Sequence, residues 1–512
     1  MARKVSPKQL PLVEQHVPQM PEGYYASGLN PNLRRFVEEH SKPYIPYKDS
    51  YVAKDFSAEL TGDRHSAAYN FLGYSSKKPY EPIARYIKHF TREGDLILDP
   101  FCGSGGTGFV ASTLGRSTIL IDSSPIATTI SAAYCAPLAS TAVEVAFDRI
   151  EQQVSSSRRE LYGTTCHRCG GSAEIRFVVY SQTYRCTKCF EVVPLASCIG
   201  GATCPSCGEK ISTRQERLGV IPWASEIQCL DGCEERYLRH YNETDKKARS
   251  YFASDVSRIL PESAEFARLK TQPMLDYQGD GERWGLLWRP YHEGIHSVAD
   301  FFTGRNLWAI LDIKSRIMAL KVNDDIRRVL LLALTNIVPS ASKQQRYYPG
   351  STFPNMVMPG VLYVPPVNQE INVYKRFLAK RQSIIRGAAS IADQVRTTNT
   401  CISTQSALDL STIAADSIDY VFTDPPYSGR VQYGELNYLE EAILGLDTSW
   451  TSDEIIVNDF RGWDLDVWAY RLEKAMAEVF RVLKPGRWAS VCYHDSDVSS
   501  WMKLQDVLVQ RK

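Results

Sequence analysis

Apolar residues in this chain follow two spacings. Short unbroken runs, Leu96-Ile97-Leu98, Thr118-Ile119-Leu120-Ile121 and Ile418-Asp419-Tyr420-Val421-Phe422, read as strands buried in a sheet. Residues 109–114, 306–320 and 326–337, and a last segment around Trp501 and Leu504, read as helices. The longest apolar run, 329–338, is interrupted by Thr335 and Asn336 and suits a core helix rather than a membrane span. Strands followed by polar, glycine- or proline-rich loops and then helices predict an α/β fold with a parallel sheet.

Two of the loops carry chemistry. Leu98 is followed by Asp99-Pro100-Phe101-Cys102-Gly103-Ser104-Gly105-Gly106-Thr107-Gly108, and Phe422 by Thr423-Asp424-Pro425-Pro426-Tyr427. A glycine-rich turn after a strand lets the backbone approach a ligand. The next strand ends in Asp122, placed to accept hydrogen bonds from a ribose diol. No Gly-Lys-Ser/Thr follows the glycines and the Asp-Pro-Phe start fits no dinucleotide fingerprint, so a nucleoside without a phosphate chain is favoured. In the second loop the Asp424 carboxylate and Pro425 carbonyl are two acceptors that can hold both hydrogens of an exocyclic amine. Pro425 and Pro426 fix φ and remove two donors, keeping that carbonyl rigid. Tyr427 offers a face for base stacking. Taken alone, Asp-Pro-Pro-Tyr is also an ordinary turn sequence; its pairing with the first loop sets it apart.

Residues 86–130 and 416–498, about a quarter of the chain, resemble zinc-ribbon-containing, adenine-specific DNA methylases. The motifs are Asp99 to Gly105, Ile121-Asp122-Ser123-Ser124-Pro125, Thr423 to Tyr427, Val431-Gln432-Tyr433-Gly434-Glu435-Leu436 and Arg481-Val482-Leu483-Lys484-Pro485-Gly486. The resemblance implies a Rossmann-like methyltransferase sheet and S-adenosylmethionine as cofactor. It implies that Asp99, Pro100, Phe101, Cys102, Gly103, Ser104 and Gly105 surround the methionine part, with Asp122 on the ribose. Asp424, Pro425, Pro426 and Tyr427 would hold the base, and Asp424 in place of a serine favours adenine N6 over cytosine N4. Ser406 stands where many relatives carry an acidic contact to the cofactor adenine. The closing hairpin of such a sheet does not follow the helix around Trp501, so it is either absent from this chain or supplied from elsewhere, for example the N-terminal region.

Thirteen cysteines in a chain without a signal-peptide pattern suggest metal before disulfides. Nine fall between Cys166 and Cys233. Cys166-x2-Cys169 and Cys186-x2-Cys189, sixteen residues apart, have zinc-ribbon spacing, and four thiolates close a structural site. Cys204-x2-Cys207 with Cys229-x3-Cys233 supplies a second set, in which Cys198 could replace one ligand. Spacing equally allows Cys186 and Cys189 to join Cys204 and Cys207. His292-Glu293-Gly294-Ile295-His296 has the form of a zinc-protease helix, but Pro290, Gly294 and the lack of a third ligand argue for ordinary histidines.

The chain has 512 residues, 44% hydrophobic, enough for two to four cores. The polar N-terminus and the absence of a run of about twenty apolar residues give a cytoplasmic protein without membrane association as the expectation. Net charge is +1, but residues 316–396 hold twelve Lys and Arg against four Asp and Glu, a balance of +8. Lys343-Gln344-Gln345-Arg346-Tyr347-Tyr348 mixes cations, amides and aromatics suited to phosphate and base contact, making this stretch the candidate DNA-facing surface.

The expected organisation is an arm (1–60), a first methyltransferase half (61–155), a zinc module (156–235), a mainly helical insertion for target recognition (236–400) and a second half (401–512). The expected activity is DNA methylation at adenine N6 on a flipped base, with DNA, and a cognate nuclease or defence-system subunits, as partners. The competing readings are a nucleic-acid-binding protein with a silent methyltransferase core and an RNA or cytosine-N4 amino-methyltransferase. Cys102 and Cys492 are read as small buried residues, since methyl transfer from a sulfonium needs no covalent nucleophile.

Overall fold

A computed structural model describes residues 24–25, 28–59, 61–198, 202–233, 235–240, 263–277, 279, 283–348 and 362–509. Two compact units share the chain. One is made of Met1–Ala146, Lys321–Ala333 and Arg381–Lys512, the other of Phe147–Leu320 and Leu334–Lys380.

The first unit is built on six strands: β1 (Tyr24–Tyr25), β2 (Leu96–Asp99), β3 (Ser117–Asp122), β10 (Thr400–Thr404), β11 (Ile418–Thr423) and β12 (Leu483–Val491). They lie in the order β1-β10-β3-β2-β11-β12, and every pairing is parallel. All residues of β2 and β11 are buried, which explains why their sequences run unbroken instead of alternating. On one face Leu96, Leu98, Ile119 and Ile121 pack with Leu33 and Val37 of helix Leu33–His40 and with Trp468, Leu472, Met476 and Val479 of helix Leu465–Val482. On the other, Leu120 and Ile402 meet Ala132 and Cys135 of helix Pro125–Cys135. The N-terminal strand β1 joins the sheet beside β10, not beside β12 where a closing hairpin would sit. Helix Val498–Val509 follows β12.

The second unit holds an antiparallel sheet. Its strands are β4 (Gly163–Thr165), β5 (Ser172–Arg185), β6 (Val192–Pro194), β7 (Arg217–Cys229), β8 (Arg236–His240) and β9 (Val367–Ile371). The order is β4-β5-β7-β8, with β6 and β9 also paired to β5. Helix Gly304–Ala319 belongs here, started by Thr303, whose side chain accepts from the Asn306 amide. Arg305 of that helix is buried and paired with Glu370 of β9, one of the few arrangements that makes a buried charge tolerable. No helix among the described residues is long and apolar enough to cross a membrane.

Candidate active site

In an open parallel sheet, ligands bind beyond the carboxyl ends of the strands, where the strand order reverses. Here that point lies between β2 and β11, and both loops leave it. They are tied directly: the Thr423 hydroxyl donates to Asp99 Oδ1 at 3.0 Å, across a sequence separation of 324. Asp99 also takes the Thr107 hydroxyl at 2.6 Å and the Phe101 amide at 3.1 Å. Burial nonetheless pushes its carboxyl up to about 7.

The glycine loop needs its glycines at two places. Gly105 has φ +76°, and a Cβ there would lie 2.7 Å from the Ser131 backbone. Gly108 presses on β3, where a Cβ would come within 2.5 Å of Leu120 Cδ1. The result is a tight turn with helix Gly106–Thr113 starting at the crevice. Asp122 braces the turn, accepting the Gly103 amide and the Ser124 amide at 2.9 Å each. Burial raises its carboxyl to about 6.

Asp99, Phe101, Cys102, Gly103, Ser104, Asp122, Ser406, Asp424 and Pro426 all line one cavity, open to solvent. Pro100, Gly105, Pro425 and Tyr427 shape the two loops without lining it. Pro426 turns its carbonyl to the Trp468 indole, 3.2 Å away. Tyr427 donates its hydroxyl to Asp424 Oδ1, and its ring meets Tyr493 edge-on at 5.2 Å. Burial raises the Asp424 carboxyl, opposed by Lys78, whose ammonium lies 2.7 Å from Oδ2. Cys102 and Cys492 are buried with thiols pushed up, Cys492 to about 12, which fits packing roles.

Sequence reasoning missed further walls, Tyr74 to Lys78, Trp450 and Glu454, and gave no role to Tyr433 of the Val431–Leu436 motif. Trp450 is set by Glu441, whose Oε2 takes the indole N–H at 2.8 Å while Oε1 takes the Ser124 hydroxyl at 2.6 Å. Glu454 accepts the Gly434 amide at 2.7 Å, and burial lifts its carboxyl to about 7. Apart from Tyr433, these residues reach the cavity from segments without local motif character; only the Pro79 start of helix Tyr80–Phe90, next to Lys78, marks an ordered turn in the sequence.

The cysteines form two groups: Cys166, Cys169, Cys229 and Cys233, and Cys186, Cys189, Cys204 and Cys207. This overturns the ribbon made of Cys166, Cys169, Cys186 and Cys189. Those two pairs sit at opposite ends of the fourteen-residue β5, roughly 45 Å of extended chain, too far to share an ion. Antiparallel β7 returns Cys229 beside Ala173, next to the first pair. Cys198 joins neither group. Sulfurs about 2.3 Å from a shared tetrahedral centre are ~3.8 Å apart. The observed separations are 3.6 Å (Cys166–Cys233), 3.5 Å (Cys169–Cys229), 3.5 Å (Cys186–Cys207) and 3.8 Å (Cys189–Cys204), so both sets fit a metal ion and neither is disulfide-bonded.

His292 is a core histidine: it stacks on Trp284 at 4.9 Å and its Nε2 lies 2.8 Å from the Val364 carbonyl. His296 is exposed. The expected nucleic-acid surface needs correction at Lys343, which is half-buried and donates to the Asp300 carbonyl at 2.6 Å. Gln344 and Gln345 are buried; Tyr348 is exposed. Residues 349–361 of that stretch lie outside the described residues.

A parallel α/β sheet with a glycine loop and an acidic Pro-Pro loop at one crevice has the arrangement of a methyltransferase fold. Residues 32–132 match the DNA methylase family. An 84-residue stretch is 52% identical to the Type II methyltransferase M2.DpnII of Streptococcus pneumoniae, covering 16% of this chain and 31% of that protein. The Type II methyltransferase M2.LlaDCHI of Lactococcus lactis subsp. cremoris is 38% identical over 90 residues, 17% of this chain and 34% of its own length. For the Type II methyltransferase M.EcaI of Enterobacter cloacae the figures are 34% over 90 residues, 16% and 20%. The chain thus spans about a third or less of these curated relatives, and no solved structure matches it.

Proposed function

We propose that this protein is an S-adenosylmethionine-dependent DNA methyltransferase acting on the exocyclic amine of a flipped-out base, adenine N6. The observation that carries the reading is the single cavity lined by the glycine loop, Asp122 and Asp424. The cofactor, when bound, supplies a methyl group already activated by a sulfonium.

The residues from Asp99 to Gly105 would hold its methionine part, Asp122 its ribose and Ser406 the region of its adenine. Asp424 accepts hydrogens of the target amine and aims its lone pair. The second acceptor is the Pro425 carbonyl, since that of Pro426 is engaged by Trp468. The partly buried setting of Asp424 strengthens its attraction for nitrogen as positive charge develops there. Holding donor and acceptor in line is worth roughly 7–11 kcal/mol to such a displacement. A base must leave the helix to reach the cavity, which costs a few kcal/mol.

Two zinc ions, one in each cysteine group, would complete the protein, both structural because four thiolates leave no open position. The Type II relatives suggest a place in restriction–modification, with a nuclease as partner. The test is incubation of purified protein with methyl-labelled cofactor and either DNA or RNA. Label should enter DNA as N6-methyladenine, and Asp424→Ala, checked for an unchanged melting temperature, should lower transfer by at least about a hundredfold. DNA binding without transfer by the unaltered protein would sink the proposal.

A further inference from the structure

The amine-holding end of the cavity already contains a cation, and it comes from this chain. Lys78 Nζ lies 2.7 Å from Asp424 Oδ2, donates to the Tyr427 hydroxyl at 2.6 Å and stands 5.0 Å from the centre of the Tyr427 ring. The other carboxylate oxygen takes the Tyr427 hydroxyl. Both oxygens of Asp424 are therefore engaged from within the protein, and the tyrosine ring bears an ammonium. A target amine needs the same acceptor, and during transfer its nitrogen becomes cationic. An ammonium left in place would both block that amine and repel its charge.

The neighbouring residues show which part of this segment is fixed. Lys77, one position earlier, is half-buried and pinned: its ammonium reaches the carbonyls of Tyr69 and Leu72 and the Tyr134 hydroxyl, while the Tyr69 hydroxyl holds its carbonyl at 2.8 Å. On the other side Pro79 begins helix Tyr80–Phe90. Ser76, at the cavity wall, has φ +62°, a conformation held by its surroundings. The backbone at Lys78 is thus anchored from both sides. Its side chain is 20% exposed, on a flexible stem.

We propose that Lys78 is a built-in stand-in for the target amine: it holds Asp424 while no base is present, and it must swing out of the pocket before methyl transfer can occur. This rests on the methyltransferase reading above and adds a competitor inside the protein for the base site. Until Lys78 leaves, only a fraction of molecules can accept a base, so apparent affinity falls by that fraction. Lys78 also favours the charged form of Asp424, against the burial that raises its carboxyl.

Lys78→Met keeps the stem and removes the charge. It should lower KM for DNA by about threefold to tenfold, and the acid limb of the rate profile should move to higher pH, because Asp424 loses the cation that favours its charged form. A KM that is unchanged or raised overturns the proposal. Should Lys78→Met fail to fold, the unaltered protein decides: Lys78 is reductively methylated and quantified by peptide mass, with and without unmethylated genomic DNA plus S-adenosylhomocysteine. Faster modification of Lys78 with both ligands bound supports the stand-in; equal or slower modification overturns it. This second measurement needs no turnover. Unmasking of Lys78 by DNA in a protein that transfers no methyl group would defeat the methyltransferase reading and leave the gate standing.

Discussion

Glu441 shows how a residue without any motif comes to matter at the site. It is fully buried, accepts from Ser124 and Trp450, and so links the first residue before helix Pro125–Cys135 to an indole that lines the cavity. Burial pushes its carboxyl to about 8. A folded-state value above the ordinary 4.5 means the neutral acid is the form the fold prefers. Its contribution is complete below pH 4.5 and is lost as pH rises through about 8. Glu441→Gln keeps a neutral side chain of the same shape, so stability should decline less between pH 5 and pH 8.5 than in the parent, by roughly 1–3 kcal/mol. Melting temperatures across that range check this; parallel curves for the two proteins would refute it. Asp99, Asp122 and Glu454 carry similar upward shifts, so part of the slope should persist. At this scale the place of Asp99, Gly105, Asp122 and Asp424 in the two loops was legible in sequence, because it depends on neighbours a few positions away. Lys78, Trp450 and Glu441 were not, because what defines them is a partner more than three hundred residues off or a burial that no local pattern encodes.

Among elements, three of the six described strands of the parallel sheet were read close to their observed limits. A strand buried on both faces announces itself by an unbroken apolar run, and β2, β3 and β11 all do so. The cysteine modules were harder. Each Cys-x2-Cys turn is local, with the Gly170 amide donating to the Cys166 carbonyl at 2.9 Å and the Gly208 amide to that of Cys204 at 3.0 Å. Which turns share an ion depends on the length and direction of β5 and β7. Elemental analysis should find two zinc ions per chain. Cys186→Ser should reduce the content to one and leave the group of Cys166, Cys169, Cys229 and Cys233 loaded. Loss of both ions would mean that the groups do not bind independently. Because structural zinc binding is folding free energy, chelation should also unfold this sheet, seen as lost protection of its amides in hydrogen exchange.

For the whole molecule, the count of +8 over residues 316–396 overstates the charge free to meet DNA. Arg316 pairs with Asp312, Lys375 with Glu174 and Arg381 with Glu144, all carboxylates outside the stretch, while the half-buried Lys343 donates to the Asp300 carbonyl. Eight released phosphate counterions would give a logarithmic salt slope of about −7, and binding to duplex DNA should show a clearly shallower one. A slope that steep or steeper would mean the internal pairs open on binding. The stretch also does not act as one element: Lys321–Ala333 and the residues from Arg381 belong to the unit with the parallel sheet, and Leu334–Lys380 to the other.

By itself the sequence determined the parallel strands, the glycine turn with Asp122 and the Asp-Pro-Pro-Tyr loop, since backbone conformation and burial on both faces are written in residues close together. Only the tertiary structure decided which cysteines gather, which cations are already neutralised and what occupies Asp424. Those outcomes depend on pairings between distant segments, and side chains such as Lys78, Glu441 and Cys229 look the same in sequence whether or not the fold brings them a partner.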